Sequence, residues 1–347
     1  MSVGRAWVHG MEGKLDEIAR AGFEGIEVFY EDLEYEARAM PGGLTDDNLV
    51  LAAGRVRGWC DGRGLAVICL QPFMHYEGLT DRAEHEARIA RVKVWFAMAK
   101  VLGTAIIQLP SNFQAEGTTG DMAVIVADIR ELADLAAQES PVVSFAYESL
   151  CWGRHHDLWE QSWAVVRAVD RPNVGLCLDT FNIAGRCWAD PGRPDGRVPD
   201  ADAHLAASLA RLRATVDVAK ILFIQVVDAE RLDRPLDAAH PYHVDGQPAR
   251  MSWSRNCRLF PFEHPGYLPI LDILRTITQD LGYRGFLSFE LFSRTMADPD
   301  PAVPRDHARR GMAAWHRLVQ EMAWEDCVRP STPPDLVDAA VDLGAKL

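Results

Sequence analysis

Short apolar runs alternate with longer amphipathic stretches along the chain. The runs are residues 2–8 (SVGRAWV), 25–29 (GIEVF), 65–70 (LAVICL), 104–109 (TAIIQL), 141–148 (PVVSFAYE), 174–179 (VGLCLD), 221–227 (ILFIQVV) and 285–290 (GFLSFE). Each has strand length, is rich in β-branched or aromatic residues, and is almost continuously apolar, as strands covered on both faces are. Between them apolar positions recur at helical spacing over 11–22, 45–64, 81–102, 121–138, 158–169, 201–214, 267–281 and 306–323. Gly22, Gly64, Gly103 and Gly282 close several of these stretches, where a helix C-cap favours a left-handed residue. Eight strands alternating with eight helices predict a parallel sheet, and the number eight predicts closure into a (β/α)8 TIM barrel rather than an open doubly wound sheet. No GxGxxG follows the first run, which argues against dinucleotide binding. One catalytic barrel domain is expected over 1–325, with a long polar and aromatic loop at 228–266 and a loosely attached tail at 326–347. A loop of that length is usually functional or disordered, and the WSRNCR motif (253–258) argues against disorder.

Charge narrows the range of partners. The 347 residues carry a formal net charge of −14, which repels phosphate backbones and anionic lipid, so no nucleic acid and no membrane partner is expected. The seven cysteines form no CxxC pair, are odd in number and lie mostly in apolar runs, as reduced, buried thiols do. The N-terminus lacks a signal-peptide core, and no stretch approaches the ~18 apolar residues of a membrane span. A cytoplasmic protein is expected, acting on a small molecule and compatible with a homo-oligomer.

Four predicted strands end in a side chain able to bind a hard cation: Glu148, Asp179, Gln225 and Glu290. Strand C-termini of a barrel converge on one mouth, where active sites lie. Three carboxylates meeting there repel one another unless protonated or neutralised. A divalent ion resolves the conflict, and an all-oxygen set suits Mg²⁺ or Mn²⁺ better than Zn²⁺. Taken singly, an acid that ends a strand is more often a helix N-cap or a surface charge; four at equivalent positions are harder to dismiss. Asp228 competes within its strand, and Glu27 is a fifth inward-facing acid. Arg154, His155 and His156 follow Glu148; His155 is the candidate general base, and Arg154 a candidate substrate contact. The plainer reading of these histidines is hydrogen bonding within a loop. Asn182 either orients a substrate hydroxyl or caps the next helix. Arg255 and Arg258 are candidates to clamp a substrate carboxylate, with a solvated surface pair as the alternative. Gln71 and His75, after the third run, are similarly placed. The tryptophans at 152, 159, 163 and 188 read as packing.

The runs GFEGIEVFYEDL, LQPFMHYEG, YESLCWGRH, NVGLCLDTFNIAGR, FIQVVDAERL, WSRNCRLFP and LSFELFSR resemble those of the 3-dehydroshikimate dehydratases, within the xylose isomerase-like, sugar phosphate isomerase/epimerase barrels. The resemblance runs from about residue 15 to 317 and is strongest toward the fungal, quinate-catabolic branch. It implies a barrel that binds Mg²⁺, Mn²⁺ or Co²⁺ and converts 3-dehydroshikimate, a carboxylated cyclic ketone, to protocatechuate through a metal-stabilised enediolate. It places the metal ligands on Glu148, Asp179, Gln225 and Glu290, and the substrate-holding serine and arginine on Ser254 and Arg258. It departs at Asn182, where bacterial relatives carry a histidine, which leaves His155 as the candidate base.

Two rivals share the fold. A ketose epimerase or isomerase would use the same enediolate but reprotonate it; Gln225 in place of a histidine ligand, and an arginine-bearing loop suited to a carboxylate, favour the dehydratase. A DNA-repair endonuclease would want several metal-binding histidines and a basic face, which this chain does not offer.

Overall fold

The alternating pattern produces a ring of parallel strands wrapped by helices in a computed structural model that describes residues 2–324. In chain order the elements are α1 Met11–Ala21, β1 Gly25–Phe29, α2 Tyr30–Arg38, α3 Asp46–Asp61, β2 Ala66–Gln71, α4 Arg82–Leu102, β3 Ile106–Pro110, α5 Met122–Ala136, β4 Ser144–Glu148, α6 Trp159–Val169, β5 Val174–Asp179, α7 Thr180–Cys187, α8 Ala201–Thr215, β6 Ile221–Gln225, β7 Asp228–Ala229, α9 Ala249–Cys257, β8 Arg258–Leu259, α10 Ile270–Arg275, β9 Leu287–Ser288 and α11 Val303–Met322. One seven-stranded parallel sheet runs in the order β1-β2-β3-β4-β5-β6-β9, a nearly closed barrel. The expected tail at 326–347 lies outside the described residues.

Period-2 alternation sorts the strand side chains. Ala66, Ile68, Cys69, Ala146, Cys177 and Phe223, from four strands, form one small buried cluster that fills the barrel interior. Two residues on from Ala146, Cys177 and Phe223, on the same face, stand Glu148, Asp179 and Gln225. The outward faces join the helices in a large shell of buried apolar side chains from Met11 to Met322. Gly22 and Gly103 end α1 and α4 in the left-handed conformation. Of the seven cysteines, the six in the described residues are free, and no described helix is long and apolar enough to cross a membrane.

Three expectations are corrected. Residues 2–8 do not form a strand: they turn, with Gly4 at φ +142° and no room for a Cβ against His9. The segment is tied instead to the stretch after β9, through Ser2 Oγ on Phe289 O (3.1 Å) and Arg5 N on Met296 O (2.9 Å). The eighth run pairs only at Leu287–Ser288. The long segment after β6 contains structure: β7 and β8 pair antiparallel, and the WSRNC residues lie on α9. Asp228 anchors this segment, its Oδ1 accepting from the backbone N–H of Ala229, Tyr267 and Leu268 at 2.7, 3.0 and 2.8 Å. Its competing reading as a site acid therefore gives way to a structural one.

Candidate active site

The strand ends build one continuous hydrogen-bonded chain in which carboxylates alternate with N–H donors. Gln108, on β3, donates from Nε2 to Glu148 Oε2. Asn182 Nδ2 donates to Glu148 Oε1 (2.8 Å) and Asp179 Oδ2 (3.0 Å). Arg258 Nη1 donates to Asp179 Oδ2 (2.8 Å) and Glu290 Oε2 (2.9 Å). Gln225 Nε2 donates to Glu290 Oε1 (3.0 Å) and Glu27 Oε2 (2.9 Å), and Gln71 Nε2 completes the chain on Glu27 Oε2 (2.8 Å). All of these residues except the partly exposed Glu27 are buried.

Local structure explains several placements. Asp179 is the N-cap of α7, its Oδ1 accepting from Phe181 N (2.7 Å), while its Oδ2 accepts from Asn182 and Arg258 within the ring. Asn182, in the first turn of α7, also accepts from Cys151 N (3.0 Å), which ties the loop after β4 to the ring. The β7–β8 ribbon delivers Arg258 to the mouth, where Nε donates to Ser254 Oγ (3.0 Å) and the guanidinium lies over Phe181, 4.4 Å from its centroid.

Burying four acids against one guanidinium leaves excess negative charge, and the acids respond. Burial, followed by the charge of Glu290, pushes Glu27 up to about 8. Burial pushes Glu290 up to about 7 against the opposing pull of Arg258. Glu148 rises well above the usual carboxylate range, from burial first and then the charges of Glu290 and Asp179. Asp179 is also raised by burial although Arg258 pulls the other way. A cation added to this ring would release that strain.

Of the remaining expected residues, Arg258 stands within the ring and the others outside it. Arg258 was expected to clamp a substrate carboxylate from a loop; here it is 1% exposed and its guanidinium is committed to Asp179 and Glu290. Arg255 is exposed and bonds Gln247 Oε1 (2.7 Å). Arg154 is exposed, its backbone N on Asn112 O. His155 Nε2 lies 3.2 Å from Thr118 Oγ1 with its ring against Gly120. His156 is buried with Nδ1 3.1 Å from the Tyr147 hydroxyl. His75 has a left-handed backbone (φ 59°) and pairs with Asn112 Oδ1. Gln108 escaped the sequence reading; it shares the inward face of β3 with Ile106, and a polar residue at that phase of TAIIQL was the available signal.

With this geometry established, the chain's relatives can be compared. The model of the xylose isomerase-like TIM barrel family matches residues 15–317. A 3-dehydroshikimate dehydratase of Neurospora crassa is 48% identical over 332 residues, 93% of this chain and 92% of that protein. The chain belongs to the 3-dehydroshikimate dehydratases, within the xylose isomerase-like TIM barrel family. A 3-dehydroshikimate dehydratase of Pseudomonas aeruginosa is 32% identical over 81% of this chain, which spans only 36% of that protein's length. The solved structure of a xylose isomerase-like TIM barrel/4-hydroxyphenylpyruvate dioxygenase fusion protein is 28% identical with a TM-score of 0.68, covering 94% of this chain and 45% of that one.

In this dehydratase the donor chemistry of the ring suits a divalent cation: three carboxylates and an amide oxygen are hard ligands. One cation, the Arg258 guanidinium, already stands among them. Among the described residues no three histidine, cysteine or acidic side chains form a ready cage; Asn182 and Arg258 hold the carboxylates apart. The Gln225 amide turns Nε2 toward Glu27 and Glu290 and Oε1 toward Cys177 Sγ (3.5 Å), so a half-turn of the amide is needed to present its oxygen.

Proposed function

We propose that this chain dehydrates 3-dehydroshikimate to 3,4-dihydroxybenzoate at the carboxylate ring. The observation that carries the reading is the near-full-length relationship to the Neurospora crassa enzyme, joined to a buried cluster of acids at the mouth of the barrel. Glu148, Asp179, Gln225 and Glu290 would hold Mg²⁺, Mn²⁺ or Co²⁺, which supplies Lewis acidity toward a ketone and its neighbouring hydroxyl. The chain's own residues do the rest. Asn182 keeps Glu148 and Asp179 in register. Ser254 orients Arg258 and the two line the substrate side, with Gln71, Arg154 and Arg255 as further contacts. A base removes the proton from carbon 4, the hydroxyl on carbon 5 leaves with a proton as water, and tautomerisation yields the aromatic ring. His155, on the loop that follows Glu148, is the proposed base; it must exchange its Thr118 partner for the substrate.

The test is direct: purified protein, 3-dehydroshikimate and Mn²⁺ or Mg²⁺, with the product followed in the near ultraviolet. Turnover should vanish with chelator and return with the ion. Glu148→Gln should lose at least ~100-fold in kcat/KM and His155→Ala ~10²–10⁴-fold. Full activity under stoichiometric chelation would end the metal reading, and wild-type kcat in His155→Ala would remove His155 as base.

A further inference from the structure

Strand pairing holds three of the four proposed metal ligands, and the fourth is held by other means. Glu148 stands opposite Pro110, and Asp179 opposite Gln225, which in turn pairs with Ser288. Glu290 lies two residues past the end of β9, outside any strand. Ligand geometry tolerates displacements of only about 0.5 Å, so a carboxylate on unpaired backbone needs support from elsewhere. Among the described residues the sheet ends at β1 and β9, with no ladder between them. The carbonyls of Phe286 and Ser288 accept from Ile224 N (3.2 Å) and Val226 N (2.7 Å) on the β6 side. Backbone groups alternate sides along a strand, so Phe289 O and Leu291 N, which flank Glu290, face the open gap.

Ser2 fills that gap. Its Oγ accepts from Leu291 N (3.0 Å) and donates to Phe289 O (3.1 Å). A residue of a neighbouring parallel strand makes the same pair of bonds with its own carbonyl and N–H; here one hydroxyl makes both. Ser2 is fixed in turn from the helix layer. His307, on α11 and 2% exposed, has Nδ1 2.9 Å from the Ser2 carbonyl and Nε2 3.1 Å from Thr295 Oγ1. A carbonyl only accepts, so Nδ1 carries the proton, and both ring nitrogens are engaged. The rest of the segment is tied along its length: Lys14 Nζ donates to Gly4 O (3.1 Å), and His9 Nε2 lies 2.9 Å from Asp298 O.

We propose that Ser2, backed by His307, is a positioning residue for Glu290: it stands in for the missing strand partner and fixes the backbone that carries this carboxylate to the cation. The consequence for the cation rests on the metal reading of the ring; the clasp rests on the two hydrogen bonds of the Ser2 hydroxyl. The full-length protein is titrated with Mn²⁺ alone, the free ion being followed by electron paramagnetic resonance, and amide hydrogen exchange is read over 286–293. Ser2→Ala removes only the hydroxyl. It should weaken Mn²⁺ binding about tenfold, as loss of an outer partner of a metal ligand does, and speed exchange at Leu291 about tenfold. Ser2→Thr, which keeps the hydroxyl, should restore both. Thr45→Ala removes a hydroxyl of the same kind that caps α3, accepting from Asn48 N at 3.1 Å. It weakens the fold through the helix layer and should leave Mn²⁺ affinity at the wild-type value. Wild-type Mn²⁺ affinity in Ser2→Ala, or an equal loss in Thr45→Ala, refutes the positioning role. A wild-type protein that takes up no Mn²⁺ overturns the metal reading instead, and exchange at Leu291 then decides the clasp, which falls if Ser2→Ala leaves it unchanged.

Discussion

Replacing Arg258 by methionine tests how the acid ring is held together. The substitution keeps an unbranched chain of similar length and removes the cation from between Asp179 and Glu290, where its Nη1 sits 2.8 and 2.9 Å from their oxygens. Removing one partner of a buried ion pair costs about 3–5 kcal/mol, because a charge is left uncompensated. Loss of the contacts over Phe181 and Phe292 adds roughly 1–2 kcal/mol that does not depend on pH. The first part does depend on pH. Both carboxylates are already raised by burial, Glu290 to about 7, and without Arg258 they rise further. A buried acid with a raised folded value binds more protons in the native state than in the unfolded chain, so its stability contribution is intact at low pH and is lost as pH climbs through that window. At pH 5 Glu290 is protonated, its share of the ion-pair loss is relieved, and the remaining cost should fall toward the stacking loss of about 1–2 kcal/mol. At pH 8 the full loss of roughly 4–7 kcal/mol should appear, a large share of the ~5–15 kcal/mol that stabilises a domain. Urea unfolding of both proteins in chelator at the two pH values measures this. Equal losses at pH 5 and pH 8, or a loss under about 1 kcal/mol at pH 8, would refute the reasoning.

Two further substitutions probe buried acids outside the ring. Glu77 accepts from Asn112 N (2.6 Å) and the Tyr147 hydroxyl (3.1 Å), and burial pushes it up to about 7. It therefore favours the folded state below about 4.5 and loses that contribution as pH rises to 7; Glu77→Gln should remove a slope of roughly 3 kcal/mol in stability between pH 4.5 and 7.5, and an unchanged slope in urea midpoints would contradict it. Asp228→Ala strips the acceptor from three backbone N–H groups and should cost about 3 kcal/mol with faster proteolysis within 230–266, whereas Asp228→Asn, which keeps an oxygen, should cost under about 1 kcal/mol. Equal losses for the two would mean that the hydrogen bonds are not what anchors the segment.

Local information reaches as far as the strands and most of the acids. Continuously apolar runs of strand length must bury both faces, so LAVICL and GLCLD read as barrel strands without any tertiary knowledge. Where such a strand ends in an acid, the same period places it above the interior layer, which is why Glu148, Asp179, Gln225 and Glu290 were legible as one set. The first run was misread because apolarity alone does not make a strand: Gly4 turns the backbone, and Ser2 and Arg5 bond to the chain after β9. The state of Arg258 was beyond reach as well. Whether an arginine faces solvent, substrate or a buried acid depends on what the β7–β8 ribbon sets it against, a contact spanning 79 residues to Asp179. The same holds for the Phe292 ring, which meets the guanidinium of Arg5 at 5.8 Å and that of Arg258 at 5.3 Å from distant parts of the chain. The sequence by itself determined the barrel and which acids face its mouth, because side-chain periodicity is local. Only the tertiary structure decided which cation each acid meets, because electrostatic partners are chosen by distance in space.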